Sequence, residues 1–154
     1  MRLMNNEARP FIGLGVLVTR GQQVLLGQRR GSHGAGYYAA PGGHLEWGES
    51  FAATARREVM EETGLEITDL RLLCVGSYWF EREDGARHYV DVDVIAEAPA
   101  GEPELREPDK CAGWAWYDAS DLPVPLFIVT QRMIEAWQAG RVMAQLDDIE
   151  RQSC

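Results

Sequence analysis

The run GHLEWGESFAATARREVMEETGL, from Gly43 to Leu65, constrains this chain more than any other segment. Ser50 is an N-cap residue type and Gly64 a C-cap type. FAATARREVMEET between them has helix-forming composition. At about 100° per residue, Glu58, Glu61 and Glu62 fall within an arc of about 100°, so three carboxylates project the same way. They repel one another, and they occupy the last two turns, where the helix dipole disfavours negative charge by about 0.3–1 kcal/mol per group. A helix that concentrates acid at its wrong end is locally inconsistent, and such conflicts mark functional sites. A hard divalent cation held by carboxylate oxygens removes both penalties. Taken alone, the Glu61-Glu62 pair does not decide the matter. Acidic runs are usually solvated faces, and Arg57 to Glu61 is an ordinary i,i+4 pair.

The wider spacing decides it. Gly43 is followed after five residues by Glu49, then after seven by Arg57, Glu58 and apolar Val59. Glu61 and Glu62 follow after one residue, and Gly64 and apolar Leu65 after one more. With the fixed residue types each near average usage, a chance match in a chain of this length is about one in 10 million. The sequence therefore resembles the Nudix hydrolase family, whose domains are α/β/α sandwiches with a mixed central sheet. The resemblance implies that Glu58, Glu61 and Glu62 ligate Mg²⁺ or Mn²⁺, with the backbone carbonyl of Gly42 as a further ligand. It also implies that Arg57 holds a glutamate in place and that Glu49 braces the helix from the preceding turn.

Residues outside the box, in LLGQRRGSHGAGYYAAPGGHLEWGES and EPDKCAGWAWYDASDLP, resemble the MutT-like branch, which converts nucleoside triphosphates to monophosphate and pyrophosphate. That branch implies that Arg29 lies along the substrate phosphates, a task suited to a planar, multidentate guanidinium. It implies that Glu107, with Glu104 close by, completes the metal site or takes the proton of water. Whether Glu107 or a box glutamate is the general base is left open. For the base pocket it implies Ala40, just before the Pro41-Gly42-Gly43 turn, and Phe127 opening the last helix, with Tyr38 and His44 along the cleft. Ile128 stands where the branch has a second aromatic, which implies a roomier or reshaped pocket. Two other activities stay open: a Nudix pyrophosphatase acting on ADP-ribose or another nucleoside diphosphate-linked compound, and a non-catalytic nucleotide-binding module. The intact box argues against the last. A homodimer is an expectation of the resemblance alone.

Composition bounds the rest. A length of 154 residues with 45% apolar content is expected to form one domain over 1–154. The 24 acidic against 15 basic residues argue against polymeric nucleic acid, whose binding rests on basic side chains. Segments 46–62, 97–110 and 147–151 hold all but one of the net charge of −9, which favours a small metal-chelated nucleotide. Cys74, Cys111 and Cys154 form no CxxC pair, so a reduced cytoplasmic setting is expected. MRLMNNEARP at the start lacks a long apolar segment, and no stretch reaches the roughly 18 apolar residues of a membrane span.

Phe11–Arg20 and Gln23–Arg29 read as a hairpin. Arg30–Ser50 reads as a run of turns with at most one short strand. Asp69–Glu81 and Arg87–Ala96 read as a second hairpin with one apolar face, Val90, Val92 and Val94 alternating against Asp91 and Asp93. Ala98–Gly113 is a long loop, Trp114–Asp118 a strand, and Pro125–Gly140 a helix with proline at its start and glycine at its end. The polar tail from Arg141 is expected to fray.

Overall fold

The computed structural model describes residues 9–31, 33–147 and 149–152. In chain order the elements are β1 (Phe11–Arg20), β2 (Gln23–Arg29), β3 (Tyr38–Ala39), β4 (Gly42–His44), α1 (Phe51–Thr63), β5 (Arg71–Phe80), β6 (Arg87–Glu97), β7 (Cys111–Asp118), α2 (Ile128–Ala139), β8 (Met143–Ala144) and β9 (Glu150–Arg151). One mixed sheet runs β3-β2-β1-β6-β5-β8, with β4 pairing β1, β7 pairing β2 and β9 pairing β5. β1 lies antiparallel to β2 and parallel to β6, and β5 is antiparallel to β6.

β1 explains the layering. Its residues Leu14, Val16 and Val18 pack with Ala55 and Val59 of α1 on one face of the sheet. Leu17 packs with Val129 and Met133 of α2 on the other. Burial on both faces is why this strand reads as a continuous apolar run rather than an alternation. The result is the expected α/β/α sandwich with a mixed central sheet.

Several local expectations change. The glycine-rich stretch before α1 holds two short strands, not one: β3 continues the sheet beyond β2, and β4 pairs with β1. In β6 both faces are covered, and Asp91 and Asp93 face inward, 4% and 0% exposed. Alternation reports that two faces differ; the strands and helices on either side decide which is buried. α2 begins at Ile128 rather than at Pro125, and Phe127 in the N-cap position offers no side-chain cap. The Ile128 N–H is instead taken by the Gln152 side chain at 2.8 Å. The tail does not fray there, because β8 and β9 extend the edge of β5 in parallel and bury Gln152. β7 starts at Cys111, three residues before the expected Trp114.

Cys74 and Cys111 are buried and free, whereas Cys154 and residues 1–8 lie outside the described residues. Among the described residues no helix is long and apolar enough to cross a membrane.

Candidate active site

The site begins at the start of α1. Ser50 accepts the Ala53 N–H at 3.1 Å and sets the first turn. One residue earlier, Glu49 accepts from the Thr54 hydroxyl at 2.7 Å and from both arms of the Arg57 guanidinium, Nε at 2.7 Å and Nη2 at 2.9 Å. Those hydrogen bonds, Arg57 first and then Thr54, hold the Glu49 carboxyl down to about 2. Arg57 also donates to the His44 carbonyl at 3.0 Å and to Glu58 at 2.7 Å. One side chain therefore ties the turn before the helix to a glutamate two turns into it, the fixed fork geometry at which arginine excels.

Glu58 and Glu62, one turn apart, line a cleft of about 570 Å³, and Glu107 lines it from the loop before β7. Glu58 is packed so closely against Gly43 that a Cβ there would collide with its carboxylate. Glu62 accepts the Gly42 N–H at 3.2 Å. Burial pushes the Glu62 carboxyl up to about 8 despite that bond, and the charges of Glu58 and Glu107 add to the shift. Glu61 lies outside the cleft, half-exposed, 3.4 Å from Arg57. The three box glutamates thus part company: i,i+4 spacing keeps Glu58 and Glu62 on one stripe, and Glu61 turns to the rim. Among the described residues no three His, Cys, Asp or Glu side chains form a ready-made cation site. The donor set nonetheless suits a divalent ion. It consists of carboxylate oxygens around a buried glutamate whose neighbours raise its pKa, the oxygen-only chemistry that Mg²⁺ and Mn²⁺ take.

The acid at the helix C-terminus is also met by protein groups. The loop before β7 folds over that end, Arg106 donating to the Met60 carbonyl at 3.3 Å, Trp114 Nε1 to Glu62 at 3.1 Å and the Glu104 N–H to Thr63 at 2.8 Å. Trp114 and the Glu104 N–H satisfy carbonyls that the helix leaves unpaired, and Arg106, sharing the Met60 carbonyl with the Gly64 N–H, places a cation where the dipole favours one. Glu104 pairs with Arg106 at 3.0 Å on the surface, while Glu107 pairs with Lys110 at 2.9 Å beside the cleft.

Arg29 lines the cleft, donates to the His33 carbonyl at 3.1 Å and lies 4.5 Å above the Phe127 ring. Ala40 forms part of the wall, its N–H held by the Thr130 hydroxyl at 2.9 Å. Phe127 belongs both to the core under α2 and to the cleft wall. His44 lines the mouth, stacked on Tyr89 with its Nε2 2.9 Å from the Tyr89 hydroxyl. Tyr38 is not among the residues lining the cleft. Its ring meets Tyr117 edge-on at 5.9 Å, because strand alternation in β3 gives the cleft position to Ala39.

Sequence reading missed five contributors. Lys110 could have been found from its i,i+3 spacing to Glu107. Tyr78 and Tyr89 stack 5.2 Å apart only because β5 and β6 place them opposite each other. His33 stacks on Phe80 at 3.4 Å, and burial, with Arg29 and Arg82 nearby, lowers its pKa to about 3, so the ring is neutral. Asp91 reaches the cleft from β6.

The NUDIX domain profile matches residues 9–138. An NAD-capped RNA hydrolase, NudC, of Erwinia tasmaniensis is 33% identical over 120 residues, which are 78% of this chain and 44% of that protein. The oxidized purine nucleoside triphosphate hydrolase of Danio rerio is 35% identical over 109 residues, 70% of this chain and 66% of that one. The chain therefore spans under half the length of the first relative and about two thirds of the second. The crystal structure of a MutT NUDIX hydrolase from Burkholderia pseudomallei superposes with a TM-score of 0.77 at 33% identity, covering 83% of this chain and 98% of that one. With the box residues gathered on one helix and loop of the same sandwich, the chain belongs to the Nudix hydrolase family.

Proposed function

We propose that this protein is a divalent-metal-dependent hydrolase that cleaves nucleoside triphosphates, oxidised or modified bases included, to nucleoside monophosphate and pyrophosphate. The observation that supports this reading is the continuity of one cleft. It has carboxylates at one end (Glu58, Glu62, Glu107), cationic Arg29 and Lys110 along it, and aromatic rings at the other. Its volume lies within the range of small-molecule sites. A triphosphate with its cation fits the acidic end, and a base fits among the rings.

In this reading Glu58 and Glu62 hold Mg²⁺ or Mn²⁺ from inside the cleft, with Glu61 at the rim and the Gly42 carbonyl completing the set. When bound there, the ion neutralises phosphate charge and lowers the pKa of the attacking water. Arg57 positions Glu58, Arg29 orients phosphate oxygens through its fork of donors, and Glu107 or Glu58 accepts the proton of water. Ala40, His44 and Phe127 bound the nucleoside.

Product analysis tests the reading. Incubation with a triphosphate and Mg²⁺ is expected to give pyrophosphate and monophosphate. Glu58→Gln and Glu62→Gln should each lower turnover by about 10²–10⁴-fold with the fold intact. Orthophosphate with nucleoside diphosphate, or undiminished release by both variants, would refute it. A relative from Methanocaldococcus jannaschii is named an ADP-ribose pyrophosphatase. Exclusive cleavage of ADP-ribose to AMP would transfer the assignment to that substrate class.

A further inference from the structure

α2 and its N-cap supply Phe127, Val129, Thr130 and Met133 to the cleft, yet nothing local fixes where the helix starts. Phe127 offers no capping side chain, and the first turn holds no acid. A helix of 12 residues is marginal by itself, and an uncapped first turn is where it frays. Two glutamines from the tail beyond Arg141 meet α2 from outside. Each is docked on β5 through its backbone and reaches the helix through its side chain. The Gln152 N–H donates to the Trp79 carbonyl at 3.0 Å, and its Oε1 accepts the Ile128 N–H at 2.8 Å. The Gln145 N–H donates to the Val75 carbonyl at 2.9 Å, and its Oε1 accepts from Arg132 Nη1 at 3.0 Å. Ile128 and Arg132 are four apart, so both contacts fall on one face of the helix. Gly76 of β5 leaves room for the second, because a Cβ there would collide with Arg132 Nη1. Gln152 is buried, and neither glutamine is among the residues lining the cleft.

The contacts continue from α2 into the cleft. Phe127, one residue before Ile128, is the platform over which the Arg29 guanidinium lies at 4.5 Å. Thr130 holds the Ala40 N–H at 2.9 Å. Resting on the triphosphate reading, we propose that Gln145 and Gln152 are positioning residues for nucleotide binding: the docked tail fixes the first turns of α2, and thereby Phe127 and Arg29, against the nucleoside and its phosphates. Undocking frees that turn and takes the ring wall away from the base. By linkage, the factor that docking adds to nucleotide affinity is the factor that bound nucleotide adds to docking. Its size is about 5-fold, what one neutral hydrogen bond contributes. It acts on binding rather than on chemistry, because Glu58 and Glu62 stand on α1, across the sheet from α2.

The test uses the full chain with Mg²⁺ and the α,β-methylene analogues of ATP, GTP, CTP and UTP, which resist release of pyrophosphate. Gln145→Met and Gln152→Met keep side-chain length but remove the amide oxygen. Each variant should bind the analogue preferred by the wild type about 5-fold more weakly in calorimetry, and raise KM for the parent triphosphate with kcat kept. In the wild type, that analogue should slow amide exchange of the β8 and β9 segments by about the same factor, a readout independent of whether any variant folds. Unchanged affinity in both variants, a fall in kcat with KM kept, or tail exchange indifferent to the bound analogue would overturn the proposal. Selective binding and a protected tail, with no pyrophosphate released from any triphosphate, would strike the activity assignment alone. No binding of any analogue would overturn both.

Discussion

Gly43→Ala isolates the packing on which the acidic end of the cleft rests. Gly43 is not among the glycines with positive φ, so alanine meets no backbone penalty. By restricting the unfolded chain it should even stabilise by about 0.4–1 kcal/mol. The added Cβ falls on the Glu58 carboxylate, which must swing away and give up the 2.7 Å hydrogen bond from Arg57. A charge-assisted bond of this kind is worth about 1.5–3 kcal/mol. The net expectation is destabilisation by about 1–2 kcal/mol, or a Tm lower by about 2–8 °C for a domain of this size. With Glu58→Ala already present there is no carboxylate to displace, and Gly43→Ala should be neutral or stabilising by up to about 1 kcal/mol. Urea unfolding of the four proteins of this cycle measures the coupling, expected at about 1–3 kcal/mol. An equal cost of Gly43→Ala in both backgrounds would show that Gly43 is required for some reason other than Glu58. The single variant should also lose pyrophosphate release alongside Glu58→Gln, since both remove a carboxylate from the same position in the cleft.

Other expectations follow from the same contacts. Arg57 holds Glu49 at about 2, below its unfolded value of 4.5, so that pairing stabilises fully above pH 4.5 and is lost as pH falls through 2. The stability gap between wild type and Arg57→Met should therefore shrink steadily from pH 4.5 downward; a gap constant to pH 2.5 would refute the pairing. Gln152→Ala removes the acceptor for the first N–H of α2 and should cost about 1 kcal/mol in denaturant unfolding, whereas a frayed tail would register nothing. Trp114→Phe keeps the ring but loses the bond to the Glu62 carbonyl, at about 1 kcal/mol, and should lower turnover by loosening the loop that carries Glu107. Wild-type turnover in a stable Trp114→Phe would show that this bond does not position the loop. Mn²⁺ should raise Tm in the wild type and less so in Glu62→Gln, because an ion that binds only the folded chain stabilises it by mass action.

What could be read from the chain itself was local. Ser50, Gly64 and the composition between them determined α1 to the residue, because capping and helical spacing act over a few positions. The box spacing brought Arg57, Glu58 and Glu62 into one patch for the same reason: a helix places i and i+4 side by side whatever surrounds it. The strand pairs β1/β2 and β5/β6 were legible from apolar runs broken by turn residues. The tertiary structure alone decided which faces those strands bury. Asp91 and Asp93 look like a solvated stripe until β1, β5 and α2 close over them, and Tyr38 looks like a cleft residue until β3 pairing hands the position to Ala39. Glu61 and Glu62 are neighbours in sequence, yet the fold sends one to the rim and the other into the cleft. Tyr78, Tyr89 and Gln152 acquire their roles only through partners distant along the chain. A strand's two faces are set by what packs on them, and that information lies in other segments of the sequence.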